Sequence, residues 1–593
     1  MRLPSIGFVA QSARASAGRF PYVLAASLVA AYAAMSLVNS HGESADKVRL
    51  LLPAVLGLSL LFALTLLAER RVNTPLARAA APMPGVLVLV AVWAAWPGWS
   101  TPVQALRYAQ LAVAFHLLVA FLPYAGYAEA NGFWHYNKGL LLRFVTAALY
   151  SAVLYAGLAL ALVAVDKLLG IHIPGETYPR LWIVIAFVFN TWFFVSGVPR
   201  GLEQLESWNE YPTELRMFSQ YILVPIVAIY LAILTLYLGK VLITRQWPSG
   251  WIGYLVSSVA SVGTLSWLLV YPLEAQPEYA WVKRFTRGFY LVLLPSIVML
   301  WFAIGKRVAQ YGITEPRYFL IVLSVWLAGI AVYYSVSRSR SIKLIPASLA
   351  GVALITFAGP WGAYSVSRAS QTGRLRSVLV RNALLANDTL VPATREVSFD
   401  DRRELSAGFR YLLETHGRRS IERWLTDSLK RVVARGGKGE PAAQALLGAI
   451  HVDYVNRGQS NQGRYFGFYA QQPAEALAIT GYDYAMAVSL WRVRDSLRIA
   501  GTTFVKLGAD SMSLRVVRDG GLLLEIPLAS AADSVTVTGA QPSRALSRAP
   551  LRVEVGTGDT RALLFLTQLN GTREPRRMQV TAFEGELFLK LPQ

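Results

Sequence analysis

Long apolar runs separated by short polar loops occupy the first part of the chain, and shorter mixed segments, frequently charged, make up the rest. A helix needs about 20 residues to cross roughly 30 Å of bilayer hydrocarbon. Runs of that kind lie near 20–39, 50–67, 84–99, 105–125, 144–165, 180–199, 218–239, 251–271, 288–305, 317–334 and 344–364. They predict about 11 transmembrane helices, or ten with a re-entrant piece, the third being the weakest because it is short and closed by Trp96, Pro97 and Trp99. Charge becomes frequent after Val366, so a polytopic membrane domain, 1–366, is followed by a soluble region.

The soluble region begins with helical patterns. Ser398 precedes Phe399, Asp400 and Asp401, with Leu405, Phe409 and Leu412 or Leu413 on one face and Gly417 as a stop, which reads as a capped amphipathic helix. A second helix is expected to carry Ile421, Trp424, Leu425 and Leu429 as far as Gly436-Gly437, and a third to lie near 442–454. From about Arg464 strands take over. Residues 514–518 and 522–526 flank Asp519-Gly520-Gly521, and 580–583 and 587–589 flank Glu584-Gly585, each a hairpin signal. The predicted fold class is a multi-spanning α-helical membrane protein with a C-terminal soluble α+β region. Its helical extramembrane module would cover 367–460, and a β-rich, sandwich-like module 461–593.

Charge then sets topology. The mean hydropathy of +0.41 and 54% hydrophobic content are too oily for an ordinary soluble enzyme. From Ser367 onward there are 31 basic and 22 acidic residues, +9 of the total of +22, which leaves +13 for the membrane domain, mostly in short loops. The positive-inside rule places the N-terminus in the cytoplasm, along with the loops carrying Arg70, Arg71 and Arg78, then Lys138 and Arg143, Lys283, Arg284 and Arg287, and Arg338, Arg340 and Lys343. The alternation weakens where Lys240 and Arg245, and Lys306 and Arg307, fall on the outer side. An odd number of spans puts the C-terminal domain outside the cytoplasmic membrane. Arg2, Arg14 and Arg19 precede the first run, which reads as an uncleaved anchor because Ala31-Tyr32-Ala33 sits inside the apolar stretch. Neither half has the dense basic blocks of a nucleic-acid binder.

The stretches GFWHYNKGLLLRFVTAALYSAVLYAGLALALVAVDKLLGI, LWIVIAFVFNTWFFVSGVP, FSQYILVPIVAIYLAILTLYLGKVLITRQWPSGWIGYLV and AGPWGAYSVSRASQTGRL resemble, in this order, a bacterial integral-membrane family catalogued as domain of unknown function 4153. They cover roughly 132–375, and Gly481-Tyr482-Asp483-Tyr484 resembles a further family feature. The resemblance implies a multi-spanning envelope protein with an extramembrane C-terminal region, and it carries no catalytic residues to transfer.

Candidate chemistry is sparse. The chain lacks cysteine, which excludes disulfides, thiol nucleophiles and thiolate metal sites. Its six histidines, His41, His116, His135, His172, His416 and His451, are too far apart for a zinc-binding helix motif. Gly-x-Ser-x-Gly and Gly-x-x-x-x-Gly-Lys are absent. No catalytic residue, metal or cofactor is assigned. Ionisable and amide groups deep in spans are functional candidates by cost. Here they are His116, a proton relay or a ring bonded to a neighbouring helix, with Asn190 and Gln220. Glu203, Glu206, Glu210 and Glu214 share one face if their loop is helical, as a divalent-cation or basic-partner site or as a wet interfacial helix. In NGFWHYNKGLLLRF, Phe133, Trp134 and Tyr136 suit the membrane interface and Lys138 and Arg143 its cytoplasmic side, while His135 and Asn137 are left for a lipid-headgroup or partner site. Glu43 and Asp46 in the first outer loop, and Asp400, Asp401, His416, Asp453 and Asp483 in the tail, have no diagnostic spacing.

The leading functional expectation is a non-enzymatic envelope protein in contact with the bilayer, whose helices anchor a C-terminal domain that binds an envelope protein or other partner. The alternatives are a small-molecule transporter and a membrane-embedded transferase acting on lipid-linked sugar or phospholipid.

Overall fold

The computed structural model describes residues 14–39, 45–95, 101–245, 252–337, 340–457, 464–470, 479–490, 493, 496–508, 512–536, 545–547, 551–574 and 577–592. His41, Glu43, Trp96, Pro97, Trp99, Arg2 and Arg338 lie outside the described residues. Among the described residues, ten helices are long and apolar enough to cross a membrane. They are α1 (Pro21–Asn39), α2 (Ala45–Arg71), α3 (Pro75–Ala95), α4 (Pro102–Tyr124), α5 (Ala130–Leu169), α6 (Thr177–Ser196), α7 (Thr213–Thr244), α8 (Ile252–Glu274), α9 (Pro277–Tyr311) and α10 (Glu315–Val336).

The eleventh apolar run forms α11 (Leu344–Phe357), only 14 residues long. At 1.5 Å per residue that is about 21 Å, short of the hydrocarbon thickness. The predicted run to 364 is apolar throughout but contains Gly359 and Pro360, and Gly359 takes φ +87°, so the helix ends and α12 (Ala363–Arg381) starts anew. Hydrogen bonds nevertheless tie the two ends of this segment to opposite ends of α10. Tyr334 donates to Ser341 O at 2.9 Å near the C-terminal end, and Ser367 donates to Glu315 Oε1 at 2.8 Å at the N-terminal end.

Packing follows residue size. α1 buries Ala26, Ser27, Ala30, Ala33 and Ala34, and opposite them Gly57 of α2 lies so close that a methyl group there would sit 3.2 Å from Ala26 Cβ. Small residues let membrane helices approach without a water-driven hydrophobic effect. Apolar side chains such as Phe144, Val145, Leu149 and Val153 on α5, and Ile229, Ile233 and Leu236 on α7, are exposed on the outside of the bundle, where a bilayer solvates them. Among the described residues three segments wind as π-helix: Val184–Phe189, Ser219–Leu223 and Leu412–His416. Such turns are rare and concentrate at functional or strained positions.

The chain divides into two compact units, Met1–Pro392 with Gly408–Ile450, and Ala393–Ala407 with His451–Gln593. In the first unit β1 (Leu385–Ala386) and β2 (Thr389–Leu390) pair antiparallel. α13 (Phe399–Tyr411) begins after Ser398, whose hydroxyl accepts from Asp401 N, and its helical path ends at Gly417, φ +75°. The second expected helix starts later than its apolar face suggests. Ile421 and Trp424 are buried in short 3-10 turns, and α14 (Asp427–Arg435) begins only where Thr426 accepts from Leu429 N. α15 (Glu440–Ala449) follows.

The second unit holds two antiparallel-rich sheets over one core. Strands β5 (Leu497–Ala500), β6 (Thr503–Leu507), β7 (Ser513–Arg518) and β8 (Gly521–Pro527) form one in that order. The other runs β4 (Tyr484–Ser489), β12 (Arg577–Lys590), β11 (Thr560–Glu574), β3 (Arg464–Ala470), β9 (Ala545–Ser547), with β10 (Leu551–Thr557) also on β11. Leu514, Val516, Leu524 and Ile526 from the first sheet and Leu564, Leu566, Leu587 and Leu589 from the second belong to the same buried cluster. Asp519 and Gly520, φ +49° and +82°, form the two-residue turn between β7 and β8. Glu584-Gly585 is no turn: both residues lie inside β12, where the register against β11 shifts between Leu566 and Gln568. The glycine that reads as a hairpin instead lies opposite a bulge in β11, where Thr567 is the extra residue between Leu566 and Gln568.

Candidate functional site

Two clusters of buried polar groups in the membrane unit lie at helix ends. The first cluster centres on NGFWHYN. This stretch is the first turns of α5, a 40-residue helix, which is about 60 Å at 1.5 Å per residue. Instead of facing lipid as an aromatic collar, Phe133, Trp134, His135 and Tyr136 are all buried in protein. Trp134 donates to Leu268 O at 2.7 Å and stacks on Tyr211 at 5.4 Å; Tyr136 donates to Val119 O at 2.9 Å. The His135 ring lies edge-on to Trp134 and Trp208, and its Nδ1 is 3.2 Å from Lys138 Nζ. Asn137 donates to Ala120 O at 3.1 Å. Arg143 bonds Phe193 O and Ser196 Oγ on α6. Lipid exposure begins only beyond this, at Leu141 and Leu142. Aromatic composition matches both an interface belt and a buried junction, and packing makes it the junction.

The acidic loop does not form one helical face. Leu202–Ser207 is 3-10, residues 208–212 are not helical, and Glu214 stands in the first turn of α7. Pro212 accounts for the break, since the residue before a proline avoids helical backbone. All four glutamates are exposed, and of them Glu206 accepts from Gly132 N at 2.6 Å, capping the start of α5. Among the described residues no group of three or more His, Asp or Glu is arranged to hold a metal.

The three deep polar candidates stay apart. Asn190, next to one π turn, donates to Ser151 Oγ of α5 at 2.9 Å. His116 is exposed and its Nδ1 lies 2.7 Å from Ala112 O of its own helix, not from a neighbouring one. Gln220 is half-buried in the second π turn. A groove of about 580 Å³ lies beside α5 and α6, lined by Ala152, Tyr155, Tyr178, Pro179 and Trp182, and none of the three candidates lines it.

At the other end of the bundle is a cluster organised by a residue that sequence reasoning passed over. Glu315, the first residue of α10, is 1% exposed. Its Oε1 is 2.8 Å from Ser367 Oγ and 2.9 Å from His416 Nε2, and its Oε2 accepts from Tyr411 at 2.5 Å. Burial and the adjoining carboxylate push the Tyr411 phenol far up, so it stays a donor. Gln110, Tyr364 and Thr356 continue the polar layer: Tyr364 donates to Gln110 Oε1, and the Gln110 amide donates to Thr356 and Ala353 O. Both carboxylate oxygens are occupied and the His416 side chain is 5% exposed, so the cluster works as a lock between segments. Glu315 in Thr-Glu-Pro-Arg carries only a helix-start signal in sequence. Its partners lie 52, 96 and 101 positions later, a juxtaposition no local spacing encodes.

Comparison with known proteins adds the family. The chain is 23% identical over 380 residues to uncharacterized protein PM1469 of Pasteurella multocida (strain Pm70), covering 62% of this chain and 60% of that protein. The match therefore spans less than two thirds of the relative's length. No solved structure matches. Residues 24–394 match the family described as Domain of unknown function (DUF4153), a stretch that runs from the first turn of α1 through α10 and the α12 segment that supplies Ser367. The chain, with its ten apolar helices among the described residues, therefore belongs to the DUF4153 family.

Proposed function

We propose that this is a multi-pass protein of the bacterial cytoplasmic (inner) membrane whose helices anchor a C-terminal region that binds another envelope protein. The observation that carries the reading is the junction on Glu315. A carboxylate at the head of a span is filled by Ser367, Tyr411 and His416, residues that follow the last apolar segment. Three partners on one buried carboxylate favour holding a segment in place over turning over a substrate. The basic loops support a cytoplasmic N-terminus. The course of residues 343–367, tied to both ends of α10, supports a C-terminal region on the opposite face. Strand β4 ends the six-stranded sheet order and bears the exposed Tyr484; such edges recruit a strand of a partner chain.

Two measurements on intact cells test this together. A reporter active only outside the cytoplasmic membrane, fused after Gln593, is expected to be active, and a photo-crosslinking residue at Tyr484 is expected to give one discrete adduct. A fusion fluorescent only in the cytoplasm, or a series along β4 that gives no adduct, overturns the proposal.

A further inference from the structure

We infer that the arginine-lined cavity at the N-terminal end of the bundle binds the phosphate of a phospholipid headgroup, with Arg78 and Arg200 as its clamp. The inference stands independently of the anchoring reading. The cavity has a volume of about 410 Å³. It is formed where four chain segments meet: Gly18 and Arg19 before α1, Glu69 and Arg70 at the end of α2, Arg78 at the start of α3, and 200–203 after α6. Every contributing segment is a helix end or the residues just beyond one, which is the depth of the lipid headgroups.

The arginines divide into two pairs by what they already hold. Arg19 forms a two-pronged bond to Glu69, at 2.8 and 2.9 Å, and also reaches Val198 O and Pro199 O. Arg70 does the same to Glu129, at 2.8 Å to each oxygen, and lies over the Tyr124 and Tyr127 rings. These two guanidinium groups build the wall. Arg78 spends only Nε, on Val72 O, and Arg200 has no ion-pair partner among the described residues. Both are exposed. Glu69 is consumed by Arg19, so the uncommitted charges are two guanidinium groups against the single carboxylate of Glu203. Guanidinium is planar and presents paired donors that match two phosphate oxygens, and basic pockets between membrane helices select phosphate headgroups on this ground.

The test uses the purified full-length protein in neutral detergent, titrated with phosphatidylglycerol, with a neutral diacyl glycolipid and with inorganic phosphate. Saturable binding of the phospholipid is expected, at least tenfold weaker for the glycolipid. R78Q/R200Q is expected to weaken phospholipid binding at least tenfold without lowering the unfolding temperature, because neither side chain holds another part of the fold in an ion pair. R284Q, at an exposed arginine of α9, controls for general attraction and is expected to bind as the unaltered protein does. Equal affinity of R78Q/R200Q and the unaltered protein overturns the proposal, as does an equal loss in R284Q. Inorganic phosphate bound as tightly as the phospholipid overturns the lipid source.

Discussion

Glu315 illustrates how much a single buried carboxylate asks of its surroundings. Taking an unpaired charge out of water costs several kcal/mol, and here His416, Tyr411 and Ser367 meet that cost together. Oε2 depends on Tyr411 alone among these three, whereas Oε1 has two partners. Tyr411→Phe keeps the ring and removes only the donor, so it leaves a buried oxygen unsatisfied at a cost of about 1–3 kcal/mol. Ser367→Ala is expected to cost less, because His416 still serves Oε1. Thermal unfolding of the purified variants in detergent, followed by intrinsic fluorescence, checks the order; Y411F melting with the unaltered protein would remove the junction's claim to hold the fold. His416 was visible in sequence as one titratable tail residue among several, but the residue that gives it a role was not, since a glutamate beside a proline at a helix start looks like any capping residue.

At the scale of elements, hydropathy located the ten long helices because lipid leaves the backbone few options. It misjudged where apolar residues face protein. α5 begins well before its oily run because Trp134, His135 and Tyr136 are buried against other segments, and α11 stops early because Gly359 and Pro360 are apolar yet break helices. Strand periodicity behaves alike: Asp519-Gly520 turns the chain while Glu584-Gly585 runs on within a strand, opposite a bulge in β11, and only the pairing partner tells them apart. At Gly585 a methyl group would lie 2.1 Å from Phe565 O, backbone of the facing strand. Gly585→Ala must therefore push β11 and β12 apart, and by the usual cost of overpacking it is expected to lose about 1–3 kcal/mol. The loss belongs to the second unit, so hydrogen exchange should accelerate across β11 and β12 and stay unchanged in α8 to α10. Unaltered exchange in those two strands would mean that the bulge accommodates a side chain.

For the whole molecule, the decisive feature is that the membrane unit does not end with its last apolar helix. Residues 408–450 belong to the same compact unit as the spans, and Leu412, Trp424, Leu446 and Leu447 are fully or almost fully buried. Charge density changes near Val366, but the compact unit takes in 408–450 as well, where a segment rich in arginine still buries its apolar face while its charged groups stay wet. Cutting the chain after Pro392 would strip Tyr411 and His416 from Glu315 and leave only Ser367 on a buried carboxylate. Breaking a buried pair from one side costs about 3–5 kcal/mol, a large part of the stability of an ordinary domain. A chain ended at 392 is therefore expected to unfold at a clearly lower temperature in detergent than one ended at 457, which retains the helices through α15. The variant E315Q separates the two contributions: it removes the charge while keeping the fold's shape, so it is expected to recover part of the shorter chain's loss. If both truncations melt together, the helices after 408 are passengers, and the anchor ends where the apolar residues do.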